Sequence, residues 1–185
     1  MTESYNKKHR KTGKGLFVLI KPSAGSRKMK LIKDLREFVG EGGFIKTVGT
    51  VLINPCFHSV VLYRLSAFFY KIKCSVLAKF IWYINRVIFS VDIDYRANLA
   101  GGFVLVHGLG TVIGKDVVSL GPLVVYQGVT IGGSGKSRII EGEKEIWQPI
   151  LGKNVCIYTN AMVLGPVRIS DNVKIKAGER ITIDC

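Results

Sequence analysis

Cut every six residues from position 151, the chain reads LGKNVC, IYTNAM, VLGPVR, ISDNVK, IKAGER, ITIDC. The first place is Leu151, Ile157, Val163, Ile169, Ile175 and Ile181, aliphatic every time. The fifth is Val155, Ala161, Val167 and Val173 before Glu179 breaks it. The same period runs upstream from Ile113 as IGKDVV, SLGPLV, VYQGVT, IGGSGK. Its fifth column extends back through Val129, Leu123, Val117, Thr111, Leu105, Leu99 and Ile93, with Thr111 the one polar member. A period of six fits neither a helix nor an alternating strand. It fits a solenoid of short strands and turns, one large aliphatic per repeat pointing inward, each rung leaning on its neighbours. The predicted fold is mainly β, a parallel β-helix over 91–185 built from hexapeptide repeats.

Two stretches depart from the period. Residues 132–149, GGSGKSRIIEGEKEIWQP, are polar and glycine-rich at their start and end at a proline. They read as a loop extruded from the solenoid, and loops on rigid scaffolds carry chemistry. Residues 34–90 read as helix. Asn54 is an N-cap with Pro55 at the first helical position, and Val61, Leu65, Phe68, Phe69 and Ile72 follow at helical spacing. A second helix from Ser75 carries Leu77, Ile81, Ile84 and Ile88. The apolar arcs are wide, so these helices call for partners on more than one side. Residues 1–33, including KPSAGSRKMK, read as a basic, flexible tail.

Charge divides the chain in two. Residues 1–90 hold 17 Lys and Arg against 4 Asp and Glu, whereas 91–185 hold 10 against 9. The basic half suits a polyanion or an anionic membrane surface. Nucleic acid is not the expected partner, because the tail lacks interleaved aromatics. Four cysteines at 56, 74, 156 and 185 form no CxxC pair, and no metal site is expected. With no signal peptide pattern, the expected compartment is cytoplasmic, at the inner face of the membrane if the helices rest there. Arg64, Lys71, Lys73, Lys79 and Arg86 interrupt the apolar region, so no run of about 18 uncharged apolar residues exists.

One imidazole stands in VLVHGLGTVIG, residues 104–114, with Gly108 and Gly110 close behind. An imidazole titrates near neutral pH, so His107 suits a general base, and equally a turn residue satisfied by backbone. The GGSGKS stretch, 132–137, lacks the spacing of a phosphate-binding P-loop and opens no helix. Cys156 has no base beside it in sequence and reads as structural.

These residues resemble the hexapeptide-repeat acyltransferases, which fold as left-handed parallel β-helices, and within them the serine acetyltransferase-like branch. The likeness rests on FHSVVLYRLSAFFY, VDIDYRANLAGGFVLVHGLGTVIG, VTIGGSGKS and ILGKNVCIYTNAMVLGPVRISDNVKIKAG, spanning about residues 50–180. It implies acyl transfer from acetyl-CoA in a ternary complex, without a metal, in a homotrimer with active sites between subunits. The family's catalytic aspartate and histidine stand fifteen residues apart, which carries over to Asp92 and His107. Asp94 competes for the orienting role. Backbone N–H groups at Gly108 or Gly133 are the expected oxyanion donors. Gly133 and Thr159 match positions that meet the pantetheine arm, and Lys136 and Lys174 are expected at the CoA phosphates. Family members usually run on past the last repeat, so part of the CoA groove is expected to be absent or supplied otherwise.

Departures from the family's pattern steer the expected acceptor. An arginine and a histidine stand before the restarting proline in serine acetyltransferases, where this chain has Trp147 and Gln148; the aspartate before the catalytic histidine is Val106. An aromatic face and an amide suit a sugar. The expected activity is therefore O-acetylation of a saccharide or lipid-linked saccharide in exopolysaccharide synthesis, with Trp147 and Gln148 holding the acceptor. Serine O-acetylation for cysteine synthesis and a non-catalytic solenoid are the alternatives.

Overall fold

The computed structural model describes residues 27–135, 138–141 and 144–185. Four helices lead: α1 (Arg27–Val39), α2 (Phe44–Ile53), α3 (Pro55–Lys71) and α4 (Ser75–Phe89). Strands follow as β1 (Asp92–Ile93), β2 (Phe103–Val106), β3 (Val112–Ile113), β4 (Val118–Ser119), β5 (Leu123–Tyr126) and β6 (Thr130–Gly132). After them come β7 (Ile139–Glu141), β8 (Lys144–Ile146), β9 (Ile150–Leu151), β10 (Val155–Ile157), β11 (Met162–Leu164), β12 (Arg168–Ile169), β13 (Lys174–Ile175) and β14 (Arg180–Ile181).

All but β7 and β8 form three parallel sheets, the walls of a left-handed triangular prism. Their orders are β1-β3-β6-β11-β14, β2-β5-β10-β13 and β4-β9-β12. Each coil crosses all three walls, so strands eighteen residues apart stack directly, as Ile150 on Arg168 and Cys156 on Lys174. The first column points inward: Ile113, Val125, Ile131, Leu151, Ile157, Val163, Ile169 and Ile175 are all buried, with Ser119. The fourth place of the repeat takes the left-handed backbone at Asp116, Gly128, Asn154, Asn160, Asn172 and Gly178. Asn, Asp and Gly tolerate that conformation best, which is how each corner turns.

Before the hairpin the repeat slips once. Val106 stacks on Tyr126 and Val112 on Thr130, so five residues turn the first corner where three turn the next. Ile93, Leu99 and Leu105 therefore belong to the first column, not to the fifth, because Ile93 stacks on Ile113 and Leu105 on Val125. The interval from Leu105 to Ile113 is eight residues instead of six, and the two extra residues fall at His107. The 132–149 insertion is an antiparallel hairpin, β7 on β8, leaving the prism between β6 and β9.

Helix formation starts earlier than the sequence suggests, at Arg27 within the expected tail. Asp34 explains this: its buried carboxylate accepts from Arg64 Nε at 2.9 Å and Nη2 at 3.0 Å, and from the backbone N–H of Gly102 at 2.8 Å and Phe103 at 2.9 Å. Arg64 donates onward to the carbonyls of Leu99 and Ala100. The Tyr63 hydroxyl donates to Ala97 O at 2.8 Å and accepts from Leu99 N–H. These bonds fasten α1 and α3 to the first coil. Asn54 caps α3, accepting from Phe57 N–H at 3.1 Å. The face of α3 that packs is Phe57, Val60 and Tyr63; of the expected stripe, Leu65 and Ile72 are exposed, because the coil lies on the other side.

Candidate active site

His107 is where β2 leaves its wall. Phe103 and Leu105 point into the core and Val104 and Val106 outward, after which His107 turns with φ of 64° and Gly108 with φ of 51°. A non-glycine residue held there costs of order 1 kcal/mol. The turn is closed by Leu109 N–H to His107 O and Thr111 N–H to Gly108 O. Gly110 N–H donates to Ser90 O, and Gly128 N–H to Leu109 O, tying the turn to the corners above and below. Gly108 is buried, and a Cβ there would stand 3.3 Å from Val91 Cγ2 and 3.7 Å from Cys56 Sγ. The extra two residues thus push the imidazole outward while the backbone stays packed. Among the described residues the His107 ring takes no hydrogen bond, so it is not a turn histidine satisfied by backbone.

His107 lines an open cleft of about 680 Å³ between β2 and the helices, with Glu37, Lys46, Thr50, Asn54 and Cys56. Burial pushes the Cys56 thiol up, only partly opposed by the backbone N–H of His107, which disfavours the thiolate.

Asp92 shares the corner with His107 but does not bond to it. Its Oδ1 accepts from Trp82 Nε1 at 2.9 Å, and its Oδ2 pairs with Arg86 Nη1 at 3.2 Å. Asp94 is folded onto Arg96, accepting from its backbone N–H and its guanidinium at 2.6–2.8 Å. Both carboxylates are thus committed to other partners. The α4 residues that engage Asp92 were not foreseen, since nothing in a helical apolar pattern points to a carboxylate ten residues on.

The remaining expected residues divide between two corners. Thr159 lies on the corner of His107, donating from Oγ1 to Gln127 O at 3.2 Å. Lys174 is exposed on β13, stacked on Cys156. Gly133, Trp147 and Gln148 lie at the corner where the hairpin leaves. There Trp147 Nε1 donates to Glu145 at 3.2 Å, and the Arg138 guanidinium stands 5.7 Å from the Trp147 ring centroid. A Cβ on Gly133 would lie 2.8 Å from Gln148 Nε2, so glycine is what lets that amide pack under the strand ends. Trp147 and Gln148 line a separate cleft of about 490 Å³ with Lys115 and Asp116. Within one chain they do not face His107. Lys136 lies outside the described residues.

No protein-family model matches the chain. Curated relatives that the chain matches include serine acetyltransferases. The enzyme of Synechococcus elongatus is 33% identical over 72% of this chain and 52% of its own length. That of Helicobacter pylori is 31% identical over 72% of this chain and 75% of its own. Among solved structures, Neisseria gonorrhoeae serine acetyltransferase in complex with serine superposes with a TM-score of 0.73 at 29% identity, covering 85% of this chain and 62% of that one. The chain belongs to the serine acetyltransferase family of hexapeptide-repeat acyltransferases. It spans about half the length of the first curated relatives it matches.

These comparisons overturn the saccharide reading and the placement near exopolysaccharide O-acetyltransferases. That reading leaned on Trp147 and Gln148 as acceptor contacts. Within one chain both side chains stand at the base of the hairpin, in a cleft separate from that of His107, so neither reaches the imidazole of its own copy.

Proposed function

We propose that the chain transfers the acetyl group of acetyl-CoA to the side-chain hydroxyl of serine, with His107 as general base. The observation that carries this reading, beside the family, is an outward imidazole with no partner in a cleft that also holds Glu37 and Lys46. A serine zwitterion offers an ammonium for Glu37 and a carboxylate for Lys46, leaving its hydroxyl for His107. The imidazole takes the hydroxyl proton as the oxygen attacks the thioester carbonyl. The tetrahedral intermediate then collapses, the C–S bond breaks, and the imidazolium returns the proton to the departing CoA sulfur. Direct transfer needs no acyl-enzyme and no metal.

The site is assigned to an assembly, not to one chain. Thr159 and His107 stand at one corner of the prism and Gly133 at another, so a CoA groove using both needs a neighbouring copy. A homotrimer about an axis parallel to the prism supplies it, with Gly133 of one copy set against His107 of the next.

Release of CoA thiol, followed with acetyl-CoA and serine, tests the function. His107→Ala is expected to keep the fold and lose roughly 10²–10⁴ in turnover. Lys46→Ala and Glu37→Gln are expected to raise the KM for serine with little change in kcat. Serine-independent thiol release, or turnover unchanged in His107→Ala, would overturn the assignment. Sedimentation equilibrium at the trimer mass checks the assembly.

A further inference from the structure

The α3–α4 hairpin has a face that the fold does not use. On α4 the packed side is Ala78, Ile81 and Asn85. Val76, Phe80, Tyr83 and Val87, spaced by four, three and four residues, form a stripe on the opposite side, and they are 57–85% exposed. Ile88 extends it at 64%, and Ile72 at the turn between the helices is exposed too. Contiguous apolar exposure on this scale marks an interaction surface.

Charge says what covers it. Between Glu41 and Asp92 there is no acidic residue, against six Lys and Arg. Arg64 is consumed inside by Asp34, and Arg86 leans on Asp92. Lys71 and Lys73 at the turn and Lys79 beside Phe80 are exposed, with no carboxylate within ion-pair distance among the described residues. An apolar stripe with a cationic border and no anion is the pattern of a helix lying in the headgroup region of an anionic bilayer, rings in the acyl boundary and ammonium groups at the phosphates. A second copy of the hairpin would bring lysines against lysines. Among the described residues no single helix is long and apolar enough to cross a membrane, although α2 with α3, bent by 67° between them, passes by length and composition together. We infer that the α3–α4 hairpin docks the protein on an anionic lipid surface through Phe80, Tyr83 and Val87, bordered by Lys71, Lys73 and Lys79. This stands independently of the acetyl-transfer chemistry.

Flotation of the full chain with phosphatidylcholine vesicles, and with vesicles of phosphatidylcholine and phosphatidylglycerol, tests the inference. Binding is expected to the mixed vesicles and to weaken at high salt. The double variant Phe80→Glu and Val87→Glu is expected to bind at least about tenfold more weakly. Its thiol-release activity is unaffected, because neither residue is at the site. Cys74, exposed at the turn, gives a second readout in a Cys185→Ser background. A polarity-sensitive dye on it is expected to shift to the blue on mixed vesicles. Three results would overturn the inference. One is no binding to either vesicle. Another is binding unchanged in the double variant, which would assign it to the basic residues 1–26. The third is a wild-type oligomer that the double variant dissociates without any lipid binding, which would make the face a contact between copies.

Discussion

Replacing Asp34 by Asn removes the charge that fastens the helices to the solenoid while keeping the side chain's shape. All four groups that Asp34 accepts from are donors: two guanidinium N–H groups of Arg64 and the backbone N–H of Gly102 and Phe103. Oδ1 takes Arg64 Nη2 and both backbone N–H groups while Oδ2 takes Arg64 Nε, so an amide must turn its own NH2 toward at least the Nε donor, which then loses its acceptor. Arg64, whose side chain is 12% exposed, is left as a buried cation with only carbonyls for partners. Breaking a buried pair by removing one charge costs about 3–5 kcal/mol, a large part of the roughly 5–15 kcal/mol that holds a domain together. The apolar double replacement Asp34→Leu with Arg64→Met does not restore the loss. It orphans the N–H groups of Gly102 and Phe103 at about 1–3 kcal/mol each. Urea unfolding followed by far-ultraviolet circular dichroism gives both numbers. A loss below about 1 kcal/mol in Asp34→Asn, or full recovery in the double variant, would refute the reasoning. Since β2 starts at Phe103, the clamp also sets the strand that delivers His107, and thiol release is expected to fall with stability.

Glycine at 107 suits the positive φ there, so His107→Gly is expected to stabilise the fold by about 1 kcal/mol while abolishing acetyl transfer; denaturant midpoint and thiol release report the two effects. Lys30 donates to Leu99 O, yet burial, then the charges of Arg64 and Lys71, pull its pKa from 10.5 down to about 8. The unfolded state therefore holds the extra proton between about pH 8 and 10.5, and this residue's contribution to stability rises with pH through that window. Relative to Lys30→Gln, wild-type stability is expected to climb across it, and parallel pH profiles for the two proteins would contradict the shift. Asn54→Ala removes the α3 cap and is expected to cost about 1 kcal/mol, read from urea unfolding.

The repeat, the helices and the base were legible in the chain because each is a local pattern. Six-residue spacing with inward aliphatics requires a coil of three short strands, and Asn54 followed by Pro55 marks a helix start from neighbours alone. His107 could be singled out, and the break that exposes it was visible too. The first column runs back unbroken from Ile113 only if eight residues are allowed before Leu105. Reading a constant six instead placed Leu99 and Leu105 in the wrong column and hid the two-residue insertion.

What the sequence by itself determined is thus the architecture and its chemical centre, since periodicity and turn chemistry act over a few residues. Partnership was decided only in three dimensions. The carboxylate of Asp92 goes to Trp82 and Arg86, Asp94 goes to Arg96, and Trp147 and Gln148 stand at a different corner from His107. Asp34 reaches across 30 residues to Arg64 and 68 to Gly102. A side chain's partner depends on which corner of the prism its backbone occupies and on which helix is folded against it. Neither is encoded in spacing along the chain, because the hairpin interrupts the period between Ile131 and Leu151 and the helical lead-in carries no six-residue repeat.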